Sequence, residues 1–311
     1  MPSVEDVIIV GSGPAGYTAA IYLSREDFKP MVITGIEQGG QLTLTSTVEN
    51  YPGFPDGVLG TELMARFMAQ AKKFGTRFVD GLVTAVDFKT LPFKVVAGSD
   101  TYLANSVILA PGASAKWLGL ESEKKFIGKG VSNCATCDAP FYKNKSVIVV
   151  GGGDTAMEDA LFISKFASSV TIVHRRDEFR ASKIMQERVT SNSKIKLVLN
   201  SVIEEVIGTS KVTSVRVKNL KTNDTSAIKT DGVFVAIGYT PNTGFLQGKL
   251  QLDDQGYIMT KDEVKTEIAG VFVAGDAADK VYRQAVTAAG SGAKAALAAR
   301  ASLQDLKYGK G

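Results

Sequence analysis

Only two cysteines occur in the 311 residues, Cys134 and Cys137, and Asp138 directly follows the second. Two intervening residues let both sulfurs share one turn, where a disulfide can form and be reduced reversibly. Two buried thiols that lie close without reacting would satisfy the same spacing. If the disulfide is broken, a sulfur leaves as a thiolate and needs a proton or a stabilising partner. Asp138 is the only ionisable side chain adjacent to the pair, which makes it the candidate acid. Capping the segment after the loop is the other role open to it.

A disulfide that is reduced needs a source of electrons, and two glycine-rich turns offer one. The apolar run VEDVIIV (4–10) reads as a buried strand leading into Gly11, Ser12, Gly13, Pro14, Ala15 and Gly16, then the helix-like YTAAIYLSR. This is G-x-G-x-x-G between a strand and a helix, the setting in which it binds a dinucleotide. Gly11 makes the turn, Gly13 admits a pyrophosphate, Gly16 allows close packing, and the helix N-terminus favours negative charge. A second run, SVIVV (146–150), leads into Gly151, Gly153, Asp154, Thr155 and Ala156, the variant G-x-G-x-x-A. The strand after it ends in His174, Arg175 and Arg176, with Arg180 one turn on. Guanidinium forks match a 2′-phosphate, whereas an NAD site prefers a carboxylate there. The second turn therefore reads as an NADPH site, unless the charges only solvate a helix start. At the end of the first unit's second strand (30–34) stands Thr34, not the expected acid.

The elements between these motifs must position them. Thr61 is placed to cap a helix reaching about Phe74. FVDGLVTAVDF, FKVVAG and SVILAPG read as strands, as do KLVLN, SVIEEVIG, SVRVKN and GVFVAIG further on. Near the end, a strand finishes in Gly275-Asp276, and Tyr282 to Ala285 open a helix rich in small residues, including Gly290 and Gly292. Asp276 could hold a ribityl hydroxyl or sit in an ordinary turn. Hydrophobic content of 44% and charged content of 22% fit a globular protein with room for two cores. A net charge of +4 over this length does not suggest a nucleic-acid partner. No apolar run is long enough to span a bilayer, and the first residues lack the pattern of a signal peptide, so the expected compartment is the cytoplasm. With one histidine and two cysteines, no metal site is expected.

Taken in order, GSGPAGYTAA, GGQL, VENYPGFPDG, CATCD, GGGDTAMED, HRRDEFRASK, VAIGYTPN and VFVAGDAADKVYRQAVTAAGSG cover nearly the whole chain. Together they resemble the low-molecular-weight thioredoxin reductases. The resemblance implies an α/β fold of two Rossmann-like three-layer domains. A discontinuous FAD domain would comprise residues 1–114 and 241–311, with an NADPH domain, 115–240, inserted. FAD would meet Ser12, Gly13, Pro14, Ala15, Gln41, Asn50, Val83, Asp276, Arg283, Gln284 and Ala285. The NADP 2′-phosphate would meet His174, Arg175, Arg176 and Arg180. Cys134 and Cys137 would form the redox disulfide, Cys137 toward flavin and Cys134 toward the substrate, with Asp138 as the acid. The partner would be a thioredoxin or thioredoxin-like protein, and the enzyme a homodimer. A domain rotation about hinges near Ala113 and Thr240 is also implied. The chain departs from the family at Ala139-Pro140, expected to stiffen the loop, at Ala110-Pro111-Gly112 and at Ala293-Lys294. None of these removes a catalytic group.

Other readings use parts of the same set. A flavin dithiol oxidase would keep the cysteines but needs no NADPH site. A ferredoxin-type NADPH reductase would keep both nucleotide sites without the cysteine pair. A nucleotide sensor would need no path from hydride to disulfide.

Overall fold

The computed structural model describes residues 3–45 and 47–308; Met1 and Pro2, part of the stretch read for a signal peptide, lie outside them. The chain forms two compact units, one from Met1–Ser114 with Thr240–Gly311, the other from Ala115–Tyr239. It crosses between them within the short strands Ala113–Ala115 and Tyr239–Pro241.

The first unit is built on a sheet whose parallel centre follows from β-branched, fully buried runs. Val4–Val10 lies between Pro30–Ile33 and Asp100–Leu109, and Arg77–Val79 borders Pro30–Ile33. The long strand Asp100–Leu109 has a divided outer edge. Its first half pairs antiparallel with Phe93–Ala97, whereas its second half pairs in parallel with Val271–Val273, brought back from beyond the inserted unit. That pairing closes a domain that the sequence interrupts. The helices Pro14–Ser24 and Ala285–Tyr308 share one hydrophobic core with Val7, Ile9 and Phe272. A Cβ on Gly292 would stand 2.2 Å from the Ala15 carbonyl oxygen, so only glycine permits this approach, whereas Gly290 meets nothing within 4 Å. The small residues of the last helix thus let it rest on the first helix.

One expectation for this unit needs correction. The helix after the irregular region is Gly60–Lys73, preceded by Leu59 and without a side-chain cap from Thr61. Packing decides where it starts: a Cβ on Gly60 would lie 1.9 Å from the Leu42 carbonyl oxygen. Thr61 falls inside the first turn.

The second unit has a five-stranded parallel sheet in the order Val131–Ser132, Gly232–Val235, Ser146–Val150, Ser169–Val173, Ile195–Val198. The helices Asp154–Ile163 and Lys183–Thr190 cover one face around Met157, Ile163 and Val189. An antiparallel meander, Ser201–Gly208, Val212–Asn219 and Thr225–Lys229, covers the other around Val206, Val215 and Val217. Each unit thus has the three-layer architecture of a nucleotide-binding α/β fold. No helix among the described residues is long and apolar enough to cross a membrane.

Candidate functional site

In the first glycine turn, Gly11 adopts φ +107° and its N–H donates to the Ile33 carbonyl at 2.8 Å. A Cβ there would lie 2.1 Å from the Ala110 carbonyl oxygen, and one on Gly16 would lie 2.0 Å from that of Gly11. Gly13, by contrast, precedes the helix with no side-chain cap, and a Cβ on it would meet nothing within 4 Å. Two of the glycines are therefore needed for packing, while the third leaves an uncapped helix N-terminus approachable. Such an end, with unpaired N–H groups, suits a pyrophosphate. Ser12 is buried, and its hydroxyl is committed to the scaffold: it donates to the Thr34 carbonyl at 2.6 Å and accepts from Gly39 N–H at 3.0 Å.

Other residues expected around a flavin nucleotide gather near this turn. A Cβ on Gly40 would approach the Gly13 Cα at 3.3 Å, so the short turn Gly40–Leu44 that carries Gln41 lies alongside. Gly275 sits against Ala15, which brings Asp276 to the start of the helix. Surrounded by protein on most sides though not fully closed to solvent, the Asp276 carboxyl is pushed up to about 7, chiefly by burial and then by Asp279. Asn50 Nδ2 donates to Gln284 Oε1 at 3.2 Å across 234 residues of sequence. The stretch from Val281 to Arg283 is held by the Asp279 carboxylate, which accepts three successive backbone N–H groups. Arg283 has φ +48°, and Ala285 begins the last helix. Val83 is different: its side chain belongs to the core under the antiparallel strands, so only its backbone is offered to a ligand.

The second turn repeats the plan with other supports. Gly151 stands where a Cβ would lie 2.4 Å from the Ala236 carbonyl oxygen, while one on Gly153 would meet nothing within 4 Å. Between them, a Cβ on Gly152 would strike the His174 ring at 2.3 Å. That imidazole is buried beneath the turn, faces the Glu178 carbonyl through Nε2 at 3.1 Å and packs on Phe179. Burial, more than the neighbouring arginines, lowers its pKa. His174 thus supports the turn from below, while Arg175, Arg176 and Arg180 are exposed. Asp154 Oδ1 accepts from both the N–H and the hydroxyl of Ser182 at 2.8 Å, and Arg180 N–H donates to the Gly152 carbonyl. These bonds latch the arginine-bearing loop to the glycine turn. Thr155 is exposed and Ala156 buried on the same helix.

Cys134 and Cys137 are joined in a disulfide, with Cα atoms 5.3 Å apart. The helical turn Ala135–Asp138 follows Cys134 directly, and Asp138 N–H donates to the Cys134 carbonyl at 3.1 Å. Burial raises the Asp138 pKa, opposed by a hydrogen bond from the Ser132 hydroxyl. A carboxyl whose pKa is raised in this way keeps its proton to a higher pH than an exposed one, and so still has one to donate. The Ala139-Pro140 departure falls at the start of a 3-10 turn, Ala139–Tyr142, where a proline lacking its N–H is readily accommodated.

Sequence reading missed several participants. Ser132 lies two residues before Cys134, and Thr136 lies between the cysteines, with its Oγ1 3.4 Å from the Cys134 sulfur. The hydroxyl two residues before Cys134 was the available signal for Ser132. Asp80 reaches Thr34 from a neighbouring strand end at 3.3 Å, placing a carboxylate where the second strand itself carries none. Its distance in sequence, 46 residues, hid it.

Comparison with known proteins agrees with this geometry. The pattern of the pyridine nucleotide-disulphide oxidoreductase family matches residues 5–292. A thioredoxin reductase of Rickettsia conorii is 51% identical over 304 residues, covering 96% of this chain and 98% of that protein. One from Mycolicibacterium smegmatis is 49% identical and covers 95% of each. Among solved structures, the thioredoxin reductase of Streptococcus pyogenes superposes with a TM-score of 0.94 at 37% identity, over 98% of this chain and 100% of that one. That of Giardia duodenalis gives 0.91 at 43% identity, over 96% and 98%. With its two glycine turns and its bonded cysteine pair, the chain belongs to the pyridine nucleotide-disulphide oxidoreductases, among the thioredoxin reductases.

Proposed function

We propose that FAD binds the first unit, that NADPH binds the second, and that Cys134–Cys137 carries their electrons to a thioredoxin or thioredoxin-like protein. The observation that carries this reading is the disulfide on one helical turn beside a largely buried carboxyl, in a chain with two approachable glycine turns. The groups present fit both nucleotides. Gly13 leaves room for a pyrophosphate, while Asp276 and Asp80 offer acceptors for ribityl and ribose hydroxyls. Arg175, Arg176 and Arg180 offer donors to a 2′-phosphate. A flavin held there would supply hydride acceptance from the nicotinamide and two-electron transfer to the disulfide.

The remaining chemistry belongs to the chain. With the disulfide reduced, the Cys134 thiolate attacks a sulfur of the substrate disulfide and forms a mixed disulfide. The displaced substrate sulfur takes the Asp138 proton. Cys137 then attacks Cys134, re-forming the original bond, and its own proton goes to the second substrate sulfur. Two electrons and two protons leave with the substrate; Asp138 regains its proton from solvent. A largely buried acid suits this task, because burial keeps its proton available while the thiolates form. On the family resemblance, the working enzyme is a cytoplasmic homodimer.

The test measures NADPH oxidation with a thioredoxin present, against oxygen consumption without it. Cys134→Ser and Cys137→Ser should each abolish thioredoxin reduction while leaving flavin reduction by NADPH intact. Electron flow to oxygen that matches or exceeds flow to thioredoxin would instead favour a dithiol oxidase.

A further inference from the structure

The loop that carries Arg175, Arg176 and Arg180 is held at both ends. At its start, His174 N–H donates to the Val198 carbonyl at 2.9 Å, and Asn200 N–H donates to that of Arg176 at 3.0 Å. At its end, three successive N–H groups meet the glycine turn. Those of Arg180 and Ala181 donate to the Gly152 carbonyl at 2.8 and 3.2 Å, and that of Ser182 donates to Asp154 Oδ1 at 2.8 Å. The Ser182 hydroxyl donates to the same oxygen, also at 2.8 Å. Asp154 and Ser182 are 28 residues apart, so their bonds join separate elements of the fold.

Ser182 stands at the N-cap of the helix Lys183–Thr190, where a serine ordinarily accepts from an N–H of its own helix. It makes no such cap here, and its hydroxyl is given to Asp154 instead. Asp154 is the first residue of the helix that leaves the glycine turn, Asp154–Ile163. One carboxylate oxygen thus ties the starts of two helices. The bonds from Ser182, the backbone one first, hold the Asp154 carboxyl below the usual carboxylate range, so it accepts as a charged group at neutral pH.

We infer that Asp154 and Ser182 are positioning residues for nucleotide discrimination: they fix the arginine-bearing loop at one distance from the glycine turn, matched to a pyrophosphate and a 2′-phosphate carried by the same ribose. The inference rests on the proposed NADPH reading of this turn. In NADPH the pyrophosphate hangs from C5′ and the extra phosphate from C2′, so covalent geometry sets their separation. Guanidinium forks are directional, and a loop displaced from the turn loses them. NADH has no 2′-phosphate, and its binding does not depend on where the guanidiniums lie.

The experiment titrates the purified full chain, with FAD bound, with NADP+ and with NAD+ by calorimetry, and reads the ratio of the two affinities. A merely structural loss weakens both nucleotides together and leaves that ratio alone. Asp154→Ala should lower the preference for NADP+ about tenfold, the scale of one lost charge-assisted contact. Asp154→Asn, which keeps the Oδ1 acceptor, should restore most of it. Ser182→Ala removes the hydroxyl and keeps the N–H, so it should give a smaller loss in the same direction; it is read by the same criteria if Asp154→Ala does not fold. In turnover, the loss should fall on the NADPH KM with kcat nearly unchanged. With Arg175, Arg176 and Arg180 all replaced by Ala, adding Asp154→Ala should move the ratio by less than about twofold, because residues acting through one another are not additive. An unmoved ratio in Asp154→Ala would overturn the inference while leaving the NADPH preference standing. So would a full tenfold shift in the arginine-free background, or an Asp154→Asn as deficient as Asp154→Ala, which would assign the effect to charge alone. A wild type that binds NADP+ and NAD+ alike would remove the NADPH reading and this inference with it.

Discussion

The two glycine turns share a backbone plan and differ in what holds them and in the charge they present. In the first, Gly11 and Gly16 are pressed against carbonyl oxygens, and the Ser12 hydroxyl ties the turn to Thr34 and Gly39. In the second, the buried ring of His174 lies under Gly152, and Asp154 fastens the turn to Ser182. Acids stand around the first turn, Asp276 and Asp80, and three exposed arginines follow the second. The contrast teaches that the glycine fingerprint sets the approach to a pyrophosphate, while the residues beyond it set which nucleotide is preferred. Acceptors suit sugar hydroxyls; guanidiniums suit an added phosphate.

The largest expected effect is at Gly11. Its positive φ alone would cost a side chain roughly 1–3 kcal/mol, before the contact with the Ala110 carbonyl is counted. Gly11→Ala should purify without flavin colour and with a lowered melting temperature, whereas Gly153→Ala should melt like wild type and lose only NADPH affinity. Equal thermal losses in the two would erase the distinction between packed and approachable glycines.

Asp276 gives the comparison a pH signature. Its folded pKa of about 7 exceeds the ordinary 3.8, so the stability it contributes is full below pH 3.8 and lost as pH rises through 7. At about 1.4 kcal/mol per unit, the loss in flavin-free protein is at most roughly 4 kcal/mol. Melting curves from pH 4.5 to 8.5 should show this decline, and Asp276→Asn should flatten it. Bound FAD should flatten it too, since hydroxyl donors favour the carboxylate. An unchanged slope in Asp276→Asn would assign the decline to other groups.

At the second turn, Arg175→Ala and Arg176→Ala should each weaken NADPH binding by roughly 1.5–3 kcal/mol and leave NADH nearly unaffected. Titration of both cofactors decides this; equal losses would make the arginines structural. Smaller still is the effect at Gly152. The obstacle there is a ring and not backbone, so Gly152→Ala should cost roughly 1–3 kcal/mol through overpacking. Adding His174→Ala should recover part of that in a thermal melt. No recovery would mean that the ring is not what confines this turn.

Much of the fold was legible because its signals are local. The buried runs 4–10 and 146–150 and the glycine spacing after each follow from backbone sterics within a few residues. The cysteine pair was legible for the same reason. The helix at Gly60 was misread at its start because the deciding contact, with Leu42, lies outside the local pattern. Asp80 was invisible because nothing near Thr34 in sequence announces it, and Ser132 was passed over because one serine among polar residues carries little signal.

By itself, the sequence determined the two strand–turn–helix units, the disulfide spacing and the basic run at 174–180, since each depends on residue type and short-range geometry. Only the tertiary structure decided which side chains meet. It paired Asn50 with Gln284, set Asp80 beside Thr34, placed His174 under Gly152 and bonded the Cys134 N–H to Ser132. These meetings depend on parallel strands whose partners are distant in the chain, as when Val271–Val273 returns to Asp100–Leu109. Burial, which raises Asp138 and Asp276, arises only after the layers have packed and water has been excluded.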